Sequence, residues 1–167
     1  MKVFSANIQD LRSLYVSNLK KALDMEQKIT KALPEMIEKG SDSELVTALQ
    51  THLRETQGHV AKIGSLLKRD IGESKTESCK VINGLTSEAS DTIKDVTDPS
   101  IRDIALIGAA QQVEHHEIAV YGTLRRWAEI LGLPDDAAVL ESIEEEEGNA
   151  DQVLSNIAQR VNYQAAA

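Results

Sequence analysis

The sequence predicts an all-α protein, a four-helix bundle with a long crossover that carries a short fifth helix. Hydrophobic residues make up 41% of the 167 residues but aromatic residues only 3%, so the core must be aliphatic. Sandwiches and barrels use more aromatic and β-branched residues than this. Apolar residues also recur three and four positions apart along four long segments, which is the helical period. The length favours one domain over residues 1–167.

The first two long segments form a predicted hairpin. The first covers about residues 7–39 and stops at Gly40, a residue typical of helix C-termini. The second covers about residues 41–69 and opens with a capping-box pattern, in which Ser41 precedes Glu44 by three positions. Because the turn between them is short, the two helices should pack antiparallel.

The remaining segments predict a crossover and a second hairpin. The short fifth helix covers about residues 79–96, and Asp98-Pro99 is a typical helix start. The third long helix follows over residues 100–131, and the fourth continues after a Gly-Leu-Pro-Asp turn to about residue 161. A long connection between the second and third long helices allows a ferritin-like bundle rather than a plain up-down-up-down one.

Charge and cysteine content narrow the classes of function. The net charge of −9 disfavours nucleic acid as a partner, because phosphate binding needs clustered lysine and arginine. The sequence contains no run of about 18 apolar residues, so we expect no membrane span, and no secretory signal is visible. The single cysteine, Cys79, excludes an internal disulfide and fits a reducing compartment, so a cytoplasmic location is expected. Composition alone explains the acidity by solubility.

Each long helix places ligand-type side chains on or beside its apolar stripe. Glu26, Glu114 and Glu147 fall at or near the stripe centres of the first, third and fourth long helices. Ionised carboxylates are rarely buried unless they are paired or bound to metal. The candidate metal ligands are Glu26, His52, Glu55, His59, Glu114, Glu117 and Glu147.

Several carboxylates in one core would repel each other by several kcal/mol. Either some of them are protonated, or cations lie among them. Two divalent cations carry four positive charges, which matches about four carboxylates, as in the di-iron and di-manganese bundles. His115 and His116 lie off the stripe and are expected outside the ligand set. Tyr121 either packs in the core, as most buried tyrosines do, or donates a hydrogen bond to the ligand set.

Three stretches resemble the YciE/YciF family of bacterial ferritin-like proteins, and the likeness covers nearly the whole chain. They are His52-Leu53-Arg54-Glu55-Thr56, residues 109–124, and Glu145-Glu146-Glu147 with Asp151. The stretch in the third long helix is the most specific. The resemblance implies a ferritin-like bundle, a homodimer, a di-metal centre and a link to stress responses.

The candidate acids match positions at which that family has acids, but the histidine spacing differs. The usual Glu-x-x-His pattern of ferritin-like sites is absent, because Gly58 follows Glu55 by three residues and Ala150 follows Glu147 by three. The histidine ligand is therefore His59, His52 or absent. A carboxylate-rich set poor in histidine favours hard cations such as manganese or iron over zinc or copper.

Two functions remain open. The first is a stress-associated, ferritin-like protein whose core binds iron or manganese and handles oxygen, peroxide or iron. The alternative is a non-catalytic structural or interaction bundle that dimerises and binds a stress partner, with its core acids protonated. The expected partners are metal ions and a second copy of the chain, with no nucleic acid and no membrane.

Overall fold

The computed structural model describes residues 8–165, and five helices account for most of them. They are α1 (Leu11–Lys39), α2 (Ser43–Ile71), α3 (Lys80–Asp95), α4 (Pro99–Ile130) and α5 (Pro134–Ala165). No strand occurs within this part of the chain, which confirms the all-α prediction. No helix in it is long and apolar enough to cross a membrane.

The turn between α1 and α2, the start of α4 and the end of α5 meet at one end of the bundle. Asp103 of α4 accepts the backbone N–H groups of Ser41 at 2.8 Å and Asp42 at 2.9 Å. Arg160 of α5 pairs with Asp42 at 2.7 Å. Because α2 and α4 begin at the same end, the chain between them must run back along the bundle. This is the ferritin-like topology.

The opposite end joins the start of α1, the end of α2 and the start of α5. The Tyr15 hydroxyl donates to Asp136 at 2.7 Å, and both side chains are buried. Arg69 at the end of α2 pairs with the same carboxylate. These contacts hold the start of α1, the end of α2 and the start of α5 together at this end of the bundle. The middle of each long helix lies along the bundle axis.

The crossover helix α3 lies against α1 and α4. Ile82 and Ile93 are its buried side chains. The Cys79 N–H before its first residue donates to Asp24 of α1 at 2.7 Å, and Arg102 of α4 bonds the Val96 carbonyl after its last residue at 2.9 Å. This short helix therefore covers the face between α1 and α4.

Three helix ends differ from the sequence prediction. The first helix begins at Leu11 because Asp10 accepts the Ser13 N–H at 2.7 Å and caps it; position 7 itself lies outside the described residues. The predicted capping by Ser41 is wrong, because Asp42 caps α2 and the Ser41 hydroxyl donates to Asp103 instead. The last helix continues past residue 161 to Ala165.

The core is aliphatic, as the composition predicts, and Tyr15 and Tyr121 are the aromatic side chains buried among the described residues. Several buried side chains at mid-bundle are nevertheless acidic or imidazole groups. They form the candidate site.

Candidate metal centre

Six of the predicted ligands converge at the middle of the bundle axis. They come from the middle of α1, α2, α4 and α5, and each is at most 5% exposed. They are Glu26, His52, His59, Glu114, Glu117 and Glu147. The helical period that places leucines at the core places these groups there too.

The first half of the cluster contains His52, Glu114, Glu117 and Glu147. One ligand atom from each of them lies within 4.8 Å of the ligand atoms of the others. His52 Nε2 is 3.3 Å from Glu114 Oε1, and its Nδ1 is 3.7 Å from Glu147 Oε2. Because metal–ligand bonds to such atoms are about 2.0–2.6 Å long, atoms with this spacing can surround one cation.

The second half of the cluster contains Glu26, His59 and Glu147, whose ligand atoms meet the same spacing. His59 Nδ1 is 2.9 Å from Glu147 Oε1 and 3.6 Å from Glu26 Oε2. Glu147 therefore belongs to both halves, with Oε2 towards His52 and Oε1 towards His59. Glu147 would thus be a ligand for a cation held by either half.

Most polar atoms of the cluster have no hydrogen-bond partner in the described part of the chain. They are Glu26 Oε2, both ring nitrogens of His52, His59 Nδ1, Glu114 Oε2, and both carboxylate oxygens of Glu117 and Glu147. The close approach of His59 to Glu147 lacks hydrogen-bond geometry. An unsatisfied buried polar atom destabilises a fold by about 1–3 kcal/mol. Oxygen and imidazole nitrogen lone pairs are metal ligands, so the donor set fits a hard divalent cation.

Without a cation, the cluster must carry protons. Burial raises the pKa of Glu114, and the neighbouring Glu147 carboxylate raises it further. Burial, Glu26 and Glu147 likewise raise the pKa of Glu117 well above its ordinary value. Burial acts to lower the pKa of His59, but Glu147 and Glu26 outweigh it and raise that pKa to about 10. These protons balance the negative charge of the carboxylates, and a bound cation can balance that charge in their place.

Contacts outside the cluster orient its ligands. His59 Nε2 lies 2.7 Å from Glu146 Oε2, which leaves Nδ1 facing the cluster. Lys62 donates to Glu146 at 2.8 Å. Partial burial acts to raise the pKa of Glu146, but hydrogen bonds from Lys62 and His59 lower it to about 2. A carboxylate behind a histidine is a common support of metal ligands.

Tyr121 is fully buried, and its hydroxyl donates to Glu26 Oε1. From its position one turn after Glu117, the sequence left Tyr121 open between this role and core packing; the structure shows the hydrogen bond, with the acceptor on α1. The support from Glu146 and Lys62 was not predicted, although Lys62 follows His59 by three residues and so lies on the same side of α2.

A comparison with known protein families shows which family this chain belongs to. The sequence pattern of the domain of unknown function DUF892 matches residues 10–167. The chain belongs to the DUF892 family.

Two known proteins are similar to nearly the whole of this chain. Protein YciF of Escherichia coli K12 is 34% identical over 153 residues, which cover 91% of this chain and 92% of YciF. This confirms the resemblance to the YciE/YciF family. The crystal structure of the E. coli stress protein YciF matches with a TM-score of 0.89 at 32% identity, covering 93% of this chain and 99% of YciF. YcfI of Rhodopseudomonas palustris, to which a structural role is attributed, matches with a TM-score of 0.88 at 38% identity, covering 92% and 98% of the two chains.

Glu55, one of the predicted ligands of this DUF892 chain, lies at the edge of the cluster rather than within it. Glu55 is 38% exposed, its Oε2 is 4.0 Å from His52 Nδ1, and it belongs to neither half of the cluster. At 100° per residue, His59 points within about 20° of His52, whereas Glu55 is rotated by about 60°. His115 is 68% exposed, and His116 lies 3.9 Å from the Cys79 sulfur. Both are outside the cluster, as predicted.

Proposed function

We propose that this DUF892 protein binds two divalent cations, iron or manganese, in the core of its bundle, and that the bound cations handle oxygen, peroxide or iron. The observation that supports the proposal is the set of buried, unpartnered oxygen and nitrogen atoms, arranged in two groups that share Glu147. A fold maintains such a set against its desolvation penalty when a cation compensates it.

The two groups supply the ligands. His52, Glu114 and Glu117 would hold one cation and Glu26 with His59 the other, while Glu147 would bind both. Four buried carboxylates then balance the four charges of two divalent cations. Oxygen-rich sites with few histidines favour manganese and iron. Either metal, when bound, would supply Lewis acidity and one-electron chemistry towards oxygen species.

The side chains around the ligands have separable tasks. Tyr121 keeps its proton, because burial and Glu26 raise the pKa of its hydroxyl, and it holds one Glu26 oxygen in place. Glu146 fixes the ring of His59, and Lys62 holds Glu146. The aliphatic side chains of the core pack around the ligands, which are at most 5% exposed. The chain thus binds and orients the ligands and keeps a proton at the Tyr121 oxygen.

The assembly and cellular setting that we propose derive from the relatives. E. coli YciF is described as a stress protein, and we extend that association to this chain. A homodimer and a cytoplasmic setting are part of the same proposal. With a net charge of −9, we expect no nucleic-acid partner.

Metal titration tests the proposed function. Metal-free protein titrated with Mn(II), or with Fe(II) under anaerobic conditions, should take up two cations per chain. Glu147→Gln should lose at least one of them, because both groups share this carboxylate. Glu145→Gln removes the same charge from the exposed neighbouring position and should bind as the wild type does. Absence of bound metal after reconstitution of the wild type would contradict the proposal.

A second candidate is a structural or interaction bundle that dimerises and binds a stress partner. The raised pKa values of Glu114 and Glu117 favour it, since these carboxyls can stay neutral without a cation. The structural role attributed to R. palustris YcfI points the same way. For this function, thermal unfolding should be insensitive to added Mn(II) or Fe(II), whereas a metal centre raises the melting temperature through ligand linkage.

A further inference from the structure

An open cleft separates α2 from α5 above the cluster and has a volume of about 640 Å³. The residues that line it are small, polar or aliphatic, and Leu49, Leu154 and Ile157 are among the aliphatic ones. The lining also includes Thr47, Ala48 and Thr51 on α2 with Asn149, Ala150 and Val153 on α5. The described helices leave a broad opening to solvent at this place.

Ion pairs close the cleft at both ends. At one end, Arg160 of α5 pairs with Asp42 and Glu44 of α2, each at 2.7 Å. At the other end, Lys62 of α2 pairs with Glu146 of α5 at 2.8 Å. These pairs join the two helices and leave the gap between them open, so the opening is part of the folded structure.

The Glu and His side chains that lead from the rim of the cleft to the cluster become steadily more buried towards the floor of the cleft. The Glu55 side chain at the rim is 38% exposed, His52 behind it is 7% exposed, and Glu114 at the floor is 2% exposed. Glu117 follows with no exposure. Glu55 Oε2 is 4.0 Å from His52 Nδ1, and His52 Nε2 is 3.3 Å from Glu114. Successive ligand atoms thus lead from solvent to the cluster in short steps.

The other side of the cluster offers much less room. A cavity of about 40 Å³ between α1, α3 and α4 also touches His52 and Glu114. Its walls include Leu33, Ile93 and Val113 beside Glu35, and its small volume leaves no room for a cation with its hydration shell. The cleft between α2 and α5 is the route with both space and ligands.

We propose that divalent cations reach the buried cluster through the α2–α5 cleft, and that Glu55 is the transfer ligand at its mouth. This inference rests on the proposed metal-binding function. The Glu55 carboxylate at the mouth of a cleft with low-dielectric walls attracts cations and raises their association rate. Glu55 replaces part of the hydration shell of the cation before His52 and the buried carboxylates replace the rest. Because Glu55 lies outside both ligand groups, it changes the rates of loading and release without changing the affinity.

Stopped-flow kinetics with Co(II) as the probe test this inference on the full chain. Glu55→Gln should slow both association and dissociation by about fivefold to tenfold and leave the dissociation constant unchanged. Ala150→Leu, which narrows the cleft, should slow both rates as well. Glu145→Gln and Ala138→Leu make the same changes at exposed positions of α5 outside the cleft and should load as the wild type does. If Ala150→Leu does not fold, Val153→Phe fills the same cleft from a position that is 45% exposed.

The outcomes distinguish this inference from the function on which it rests. If wild-type protein binds no Co(II), Mn(II) or Fe(II), the proposed function and the route fail together. If the wild type binds metal and the Glu55 and cleft variants load at its rate, the route is wrong and the metal site stands. If Glu55→Gln weakens equilibrium binding, Glu55 is a resident ligand and its role as a transfer group is overturned.

Discussion

Glu117 illustrates the free-energy cost of burying an acidic side chain in the cluster. Its side chain has no solvent exposure, and neither carboxylate oxygen has a hydrogen-bond partner within residues 8–165. In metal-free protein the carboxyl must be protonated or must remain charged without compensation, and both states destabilise the fold. In the proposed metal centre, the same oxygens would be ligands.

Replacing Glu117 with methionine separates stability from metal binding. Glu117→Met keeps the length of the side chain and removes the buried acid. In chelator at pH 8, the free energy of unfolding should therefore rise by about 1–3 kcal/mol in urea denaturation. The same variant should lose metal. Glu145→Met at an exposed position should change stability by less than about 0.5 kcal/mol. A large loss of stability in metal-free Glu117→Met would show that the acid itself stabilises the core.

Metal binding should release protons from individual residues. At pH 7.5, Glu114 and His59 hold protons because their pKa values are raised to about 10, and burial and Glu26 also raise the pKa of Glu117 well above its ordinary value. Loading two cations should release about two to three protons per chain. Calorimetric titration with Mn(II) in two buffers of different ionisation enthalpy measures this number. Binding with no proton release would contradict the protonated metal-free cluster.

At the scale of the helix, periodicity predicted much of the site. The apolar stripes of α1, α4 and α5 placed Glu26, Glu114 and Glu147 in the core, where the structure has them. On α2 the stripe placed His52 and His59 correctly. It could not separate Glu55 from them, because a residue rotated by about 60° from the stripe is buried or exposed according to the neighbouring helix. That neighbour is α5, which the sequence does not position.

The sequence could not predict the long-range contacts that set the helix ends. Asp103 lies 62 residues from Ser41, and no local pattern links them. Its carboxylate takes the Ser41 hydroxyl and two backbone N–H groups, which leaves Asp42 to cap α2. Local capping rules therefore identified the right turn and the wrong capping residue.

Removing the Asp103 carboxylate should loosen this end of the bundle. Asp103→Ala leaves the Ser41 and Asp42 donors without their buried acceptor, so the free energy of unfolding should fall by about 2–4 kcal/mol in denaturant titration. Asp91→Ala on α3, where the aspartate is 69% exposed, is the matched control and should be nearly neutral. Metal stoichiometry should not change, because Asp103 does not touch the cluster. A loss below about 1 kcal/mol would mean that Asp103 is not needed to hold the turn.

At the scale of the whole molecule, the crossover sets the direction of the helices that build the site. It makes α2 and α4 start at the same end of the bundle, and all four long helices have buried ligand-type side chains at mid-bundle. The sequence favoured this topology from the long connection, and the fold confirms it. The sequence could not show that Glu147 joins two groups, since that depends on the approach of all four helices.

The pH dependence of stability should reverse when metal binds. Folded, metal-free protein keeps protons on Glu114 and His59, whose pKa values are raised to about 10, that the unfolded chain releases above pKa values near 4.5 and 6.5. Its free energy of unfolding should therefore fall between about pH 7 and 9, by about 1.4 kcal/mol per pH unit for each proton. His52, whose pKa is lowered by burial, acts in the opposite direction only below this window.

Metal-loaded protein should show the opposite slope at lower pH. Its ligands are deprotonated in the folded state, and protons compete with metal as the pH falls from about 7 to 5. Urea denaturation from about pH 5 to 9, with excess Mn(II) or with chelator, measures both slopes. Identical curves with and without Mn(II) would favour the structural bundle.

The location of bound metal tests the central claim, a two-cation centre built around Glu147, most directly. Crystals grown with Mn(II) and measured near the manganese absorption edge would show each cation by its anomalous scattering. We predict two peaks inside the bundle, one beside Glu147 Oε2 with His52 and the other beside Glu147 Oε1 with His59. A well-ordered crystal with no anomalous peak among these side chains would contradict the claim.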